Sequence, residues 1–311
     1  MNLAKLHARI VFTLLLLVLA ACGGGERAAG DTASTAGGSS RTSGKPLTIR
    51  GSDTMVILGQ RFAEEYMKAN PGSLVQVNGG GSGTGIAAMI NGTTDLAQSS
   101  RPMKGDELAS AEKSRGAKVV ELPVALDALA VFVHSANPVK ELTIEQIAGV
   151  YTGKTKNWRE LGGPDAPIIV YGRENSSGTY DYFKEHVLNK ADFAPTVQTL
   201  QGTAAIINAV GRDKNGIGYG GIAYAQEVRA IAIRKDAASP AVTPSEATVA
   251  DNTYPLSRKL FFYYPANAPE RVTKFAQWTL TPAGQQVVTG VGYFPLSTTA
   301  SAGETTTATA K

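Results

Sequence analysis

The chain has 311 residues, 18% of them charged, with a formal net charge of +4 and a single cysteine. That length suits two medium domains or one large one, and a lone cysteine excludes an internal disulfide, so stability must come from an apolar core. The positive balance is scattered, with no Lys/Arg block in the body of the chain, which excludes nucleic acid as a partner.

At the N-terminus Lys5 and Arg9 precede the apolar run IVFTLLLLVLAA, and Cys22 follows. A basic start, an apolar stretch of about a dozen residues and small residues at the cut site predict a secretory signal over 1–21. The run is shorter than the roughly 20 residues of a membrane span. LAAC resembles a bacterial lipobox, which implies that Cys22 becomes the first mature residue and carries the lipid that holds the protein to a membrane. Residues 22–45 are mostly Gly, Ser, Ala and Thr and bury too little to offset chain entropy. They read as a flexible tether with a typical reach of about 27 Å. The tail 298–311 reads as disordered for the same reason.

Between these ends, short β-rich runs alternate with amphipathic stretches. LTIRG (47–51) is a strand and MVILGQRFAEEYMKA (55–69) a helix; SLVQVNGG (73–80), TGIAAMING (84–92) and TDLAQSS (94–100) read as strand, helix, strand. GDELASAEKSRG (105–116) is an exposed helix ended by glycine, and AKVVELPVALDALAVFVHS (117–135) is too long for one simple strand. LTIEQIAGVY (142–151) places Thr143 as a cap, and PIIVYGR (167–173) is a buried strand. Helices follow at 178–190 and 203–213, then a strand at 228–235, a long extended run at 254–265 and a helical stretch at 269–290. Such alternation predicts an α/β architecture with open, mostly parallel sheets. The extended runs near 126 and 258 are where the chain would cross between domains and back.

Three runs share one local grammar, strand, then glycine or hydroxyl residues, then helix: RGSDTM (50–55), NGGGSGTGI (78–86) and GRENSSGTY (172–180). A helix start presents unpaired N–H groups and a partial positive charge to an anion, glycine allows close approach, and hydroxyls donate without adding charge. Each run alone is equally an ordinary N-cap. Together, at the carboxyl ends of strands, they stand where open α/β sheets bind ligands. Arg173 supplies a permanently charged planar fork for such an anion. For Arg101, an ion pair with Asp53, exposure to solvent and ligand contact all remain open.

Enzymatic readings find less. GGGSGTG lacks the Gly-Lys-Ser/Thr ending of a phosphate-binding loop, no G-x-S-x-G elbow occurs, and no metal-ligand spacing is present. His134 and His186 read as structural, and no cofactor is expected.

The combined motifs GSDTM, GGGSGTGI, DLAQSSRP, LPVALDALAVFV, IAGVYTGKTKNW, GRENSSGTY, GIGYGGIAYA and YPLSRKLF resemble the substrate-binding proteins of phosphate ABC transporters, over nearly all of residues 46–297. The resemblance implies a two-domain, clamp-like type II periplasmic binding protein, each domain a central mixed sheet flanked by helices, with two crossovers. Domain I would comprise 46–126 and 259–297, and domain II 127–258. It implies inorganic phosphate as ligand, an ABC permease as partner and a lipid-anchored periplasmic or surface location. Thr54 would give a hydroxyl, Met55 a backbone N–H, and Ser82 both. Arg173 would pair with the anion, and Ser177, Gly178 and Thr179 would complete the cradle.

Ser100 stands where the better-studied branch of that family has an aspartate that accepts the phosphate proton. An acidic acceptor repels a fully ionised oxyanion, which gives selectivity over sulfate. Asp53 then either takes over that acceptor role or is balanced against Arg101. The departure keeps another tetrahedral oxyanion such as sulfate open, beside a secreted phosphatase-like hydrolase and a scaffold retained for adhesion or signalling.

Overall fold

The computed structural model describes residues 45–296. The signal segment, Cys22, the tether up to residue 44 and the tail lie outside the described residues. The chain runs β1 (Leu47–Gly51), α1 (Val56–Ala69), β2 (Val75–Asn78), α2 (Ser82–Ile90), β3 (Leu96–Ser99) and α3 (Gly105–Arg115). It continues through β4 (Val119–Val133), β5 (Glu141–Thr143), α4 (Ile144–Tyr151), β6 (Ile169–Arg173), α5 (Gly178–His186), β7 (Gln198–Leu200) and α6 (Thr203–Arg212). The remainder is β8 (Gly216–Gly221), β9 (Arg229–Ala230), β10 (Ala232–Arg234), α7 (Glu246–Ala250), β11 (Ser257–Pro265), α8 (Glu270–Trp278) and α9 (Pro282–Val291).

One curled sheet takes the order β2-β1-β3-β11-β4-β8-β6-β7, with β9 added beside β4, and β5 and β10 form a separate pair. The flanks are parallel, β1 with β2 and β3 on one side and β6 with β7 and β8 on the other. The centre is antiparallel, because β11 runs against β3 and β4, and β4 against β8. The expected mostly parallel sheet is therefore a mixed one.

The run from 117 to 135, expected to be too long for one simple strand, holds a single 15-residue strand, β4. It changes partner along its length: residues 119–128 lie against β11 and residues 129–133 against β8. The extended runs near 126 and 258 lie side by side, meeting in the register pair Asp127–Arg258. Pro123 cannot donate to the ladder, and the register slips between Leu260 and Phe261 opposite it.

Two large apolar clusters lie on either side of this central pair. One gathers Ile49, Leu58, Phe62, Phe262 and Phe275, and the other gathers Val131, Tyr151, Trp158, Phe183 and Tyr219, all buried. Each large side chain so buried contributes about 1.5–3 kcal/mol, with edge contacts such as Phe62–Phe262 at 6.2 Å adding orientation. Thr143 caps α4 as expected, its Oγ1 accepting the Gln146 N–H at 3.1 Å, and Gly116 ends α3 in the left-handed region. The helical stretch 269–290 breaks into α8 and α9, since Pro282 restarts the helix behind the Thr281 cap. The strand expected at 228–235 divides into β9 and β10, which pair with β4 and β5 respectively.

Candidate functional site

β1 and β3 are parallel neighbours, so the segments leaving their carboxyl ends emerge at one edge of the sheet. The first carries Asp53 and Thr54 in a single 3-10 turn before α1, and the second carries Ser100 directly after β3. β2 leads through glycines to α2, which begins at Ser82, two residues earlier than the periodicity predicts. From the other flank, β6 ends on Arg173 and α5 begins at Gly178.

Four of the predicted hydroxyls converge. Thr54 Oγ1 lies 2.8 Å from Thr179 Oγ1, Thr179 Oγ1 lies 3.4 Å from Ser100 Oγ, and Ser100 Oγ lies 3.3 Å from Ser82 Oγ. The Ser100 N–H also donates to Ser82 Oγ at 3.1 Å. All four residues are buried. Gly178 makes this closeness possible, since a Cβ there would stand 2.3 Å from Ser82 Oγ and 2.9 Å from Ser100 Oγ. Gly81 has φ +92° and passes so close to the Ser176 carbonyl that a Cβ would meet its oxygen at 2.4 Å. The same carbonyl accepts the Gly83 N–H at 3.0 Å.

Two predicted donors have local duties. The Met55 N–H donates to the Ser52 carbonyl at 3.0 Å, and the Met55 side chain is in the core. Ser177 is the N-cap of α5, its Oγ accepting the Tyr180 N–H at 3.3 Å, which leaves only its O–H proton to donate elsewhere. The start of α5 leaves the N–H groups of Gly178 and Thr179 without intrahelical acceptors.

The guanidinium of Arg173 is fully buried. Its Nη1 donates to Thr203 Oγ1 at 2.8 Å and one Nη2 contact reaches Asp53 Oδ2 at 3.0 Å. The neighbouring Glu174 takes Nε at 3.0 Å and Nη2 at 2.8 Å. The two carboxylates on this one cation differ. Burial raises the Asp53 carboxyl above its ordinary value, and the Gly80 N–H and the Arg173 charge only partly offset that. Burial works the same way on Glu174, but its hydrogen bonds and charge interaction with Arg173 outweigh it and hold the carboxyl below the ordinary range. Tyr224 donates to the Asp53 carbonyl at 2.8 Å, and burial beside that carboxylate pushes its phenol up to about 12. Tyr293 donates to the Thr54 carbonyl at 2.6 Å.

Arg101 does not meet Asp53 and is largely buried rather than solvated, which corrects both of the structural expectations for it. Its side chain is 7% exposed and carries Glu107 on Nη1 and Nη2, at 2.7 Å each, and Asp181 on Nε at 2.8 Å. Asp53 is balanced instead by Arg173. Of the histidines, His134 Nδ1 accepts the Ala136 N–H and His186 stacks on Tyr182 at 3.9 Å. Among the described residues no group of three or more His, Cys, Asp or Glu is placed to hold a metal ion.

Sequence reasoning missed Glu174, Thr203, Tyr224 and Tyr293. Glu174 adjoins Arg173, and Tyr224 lies in GIGYGGIAYA, so adjacency and motif membership were available signals for those two. Thr203 and Tyr293 come from segments whose distance along the chain gives no sign of proximity. The resulting arrangement is a buried set of neutral hydroxyl donors beside a cation already matched by two carboxylates. Such a set can replace the water shell of a small tetrahedral oxyanion through O–H and N–H donors rather than through excess positive charge.

Comparison with known proteins gives a consistent neighbourhood. The family model for the PBP superfamily domain matches residues 29–283. The phosphate-binding protein PstS of Pseudomonas aeruginosa is 38% identical over 268 residues, covering 80% of this chain and 83% of the relative. Protein SphX of Synechococcus elongatus is 35% identical over 263 residues, covering 80% of this chain and 77% of that protein. A Clostridium perfringens structure, assigned as a phosphate ABC transporter substrate-binding protein and solved with bound phosphate, superposes with a TM-score of 0.75. It is 31% identical, and the match covers 81% of this chain and all of the other. An ABC-type phosphate transport receptor from Vibrio cholerae gives a TM-score of 0.64 at 28% identity, covering 80% of this chain and all of the other.

Proposed function

The chain belongs to the PBP superfamily, and from that premise we propose that it is an extracytoplasmic receptor that captures inorganic phosphate and delivers it to an ABC permease. It is a binding protein and not an enzyme. The observation that carries the reading is the convergence of Thr54, Ser82, Ser100 and Thr179 from four separated segments into one buried cluster. The phosphate-binding protein PstS of Pseudomonas aeruginosa, at 38% identity, and the Clostridium perfringens structure with bound phosphate support the choice of anion.

In this reading residues 46–126 with 259–297 form one lobe and 127–258 the other. Thr54, Ser82 and Ser100 serve the anion from the first lobe, with Gly178, Thr179 and the Ser177 proton from the second. Arg173 pairs with the anion through its remaining Nη1 N–H, its charge already shared with Asp53 and Glu174, while Asp53 accepts the proton that phosphate carries and sulfate lacks. Its raised carboxyl is poised to share that proton. An anion touching both lobes favours the closed arrangement by its differential affinity for it. The signal directs export and is removed, and the lipid on Cys22 and the tether then hold the receptor at the outer face of a membrane within reach of the permease. Among the described residues no helix is long and apolar enough to cross a membrane.

Calorimetric titration of phosphate at pH 5.5 and pH 8, each repeated in excess sulfate, tests this. One-site binding that survives sulfate is the expected result. Binding abolished by sulfate would move the ligand to another oxyanion, and a flat trace from folded protein would overturn the receptor reading.

A further inference from the structure

Ion pairs bracket the hydroxyl cluster along the chain. Asp53, one residue before Thr54, meets Arg173, and Arg101, one residue after Ser100, meets Asp181. The two differ in what each guanidinium has left to do. Arg173 is the cation of the anion site. Arg101 is held by Glu107 in a two-pronged pair, and its Nη1 also donates to the Pro102 carbonyl at 2.9 Å. Only Nε turns outward from this local set, to Asp181 on the first turn of α5, 80 residues away and two residues past Thr179. Lys104 reinforces the same carboxylate at 3.2 Å.

We propose that Arg101 is a positioning residue: a strap that ties the Ser100 segment to the start of α5 and sets how long the closed site holds its ligand. The inference rests on the receptor reading given above. Separating the two lobes must break the Nε–Asp181 bond, but it leaves the Glu107 pair intact. Arg101 is therefore partnered in both states, and opening strands no buried charge, the usual reason a buried ion pair is costly to break. The pair is also reachable by water: Asp181 is 26% exposed, and a cleft of about 520 Å³ lined by Arg101, Lys104, Asp181 and Glu185 opens over it. A bond that is strong when made, cheap to break and open to solvent on one side suits a reversible tie. With the tie made, Ser100 and Thr179 stand in contact, so its effect falls on the closed state and hence on dissociation.

The test compares Asp181→Asn and Arg101→Lys with the parent protein. Asparagine keeps the size of the acceptor without its charge, and lysine cannot serve Glu107 and Asp181 as a fork. Stopped-flow phosphate release should quicken about three- to tenfold in each, while association stays within about twofold. Phosphate-over-sulfate preference should not change, because the polar contacts of both side chains are with Glu107, Pro102, Lys104 and each other rather than with the hydroxyl cluster. In the ligand-free protein, spin labels on cysteines replacing Glu64 and Arg159, in a Cys22→Ser background, should show a distance distribution shifted to longer values by Asp181→Asn. Unchanged release together with unchanged distances would overturn the strap, as would altered anion preference. A parent protein that binds no phosphate would overturn the receptor reading alone, since the spin-label distances would still judge the strap.

Discussion

The Oγ1 atoms of Thr54 and Thr179 lie 2.8 Å apart although 125 residues separate them in the chain. One follows β1 and the other sits in the first turn of α5, so the contact joins segments rooted in different apolar clusters. Each hydroxyl has one proton and two lone pairs, and the pair can give up its mutual bond and turn both protons toward an anion lying beside them. Thr179→Val keeps the shape and removes one donor. Phosphate affinity should fall about ten- to a hundredfold, about 1.5–3 kcal/mol, with the thermal midpoint nearly unchanged. Calorimetry and a melting curve on the same preparation check this, and an unchanged affinity would remove Thr179 from the cradle.

Asp53 gives a pH dependence. Its folded carboxyl titrates above the unfolded value of 3.8, so the native state holds the proton more tightly than the unfolded chain does. The stability contributed by this group therefore falls as pH rises from the unfolded value through the folded one, and is constant above it. For binding, the ionised carboxylate accepts the phosphate proton and repels sulfate, whereas the protonated form can donate to either anion. Phosphate-over-sulfate preference should decline as pH falls through the folded value. Asp53→Asn should abolish most of the preference at pH 8 by the same donor logic. Competition titrations across pH decide it: a preference equal in the variant and the parent would exclude Asp53 as the proton reader.

Gly178 is a packing requirement as well as a helix start. A methyl group added there would stand 2.3 Å from Ser82 Oγ and 2.8 Å from Ser82 Cβ. Gly178→Ala must therefore displace Ser82 or spread α5 from α2. Overpacking of this kind costs about 1–3 kcal/mol. The variant should lose at least about tenfold in phosphate affinity and melt several degrees lower, and full affinity at full stability would show that the contact relaxes freely.

The parts of this protein legible in its sequence are those governed by local rules. Thr143 as a cap, Gly116 as a helix stop and the amphipathic face of α1 follow from neighbouring residues, and the structure has each of them. The convergence of the four hydroxyls was legible only through the combined motifs, because no local rule brings Thr54 to Thr179. β8 escaped because GIGYGG is glycine-rich and carries little strand preference, yet it lies between β4 and β6 in the sheet. There, tertiary pairing overrides weak strand preference. β4 was misjudged for the opposite reason: a strand that serves two partners in turn outlasts the usual length of about 5–6 residues. Arg101 stayed open in the sequence because its acidic partners, Glu107 in the next helix and Asp181 across the fold, become neighbours only once α3 and α5 are placed.

Asp127 and Arg258 face each other in register where β4 and β11 pair. Arg258 Nε reaches Asp127 Oδ2 at 2.8 Å, the other oxygen accepts the Ile222 N–H at 3.1 Å, and Arg258 Nη1 donates to the Ser100 carbonyl at 3.2 Å. Both side chains are almost wholly buried, and burial holds the Asp127 carboxyl above its ordinary value even against the adjacent guanidinium. Desolvation of such a pair rivals its attraction, so the pair as a whole adds little stability, whereas losing one member strands the other. Asp127→Asn should therefore cost about 3–5 kcal/mol and lower the urea midpoint accordingly. The double variant Asp127→Leu with Arg258→Met should lie well above either single variant, held back by the unpaired Ile222 N–H at about 1–3 kcal/mol. Additive losses in that cycle would mean that the two residues act independently, and the buried pair would then have no part in fixing the register of β4 and β11.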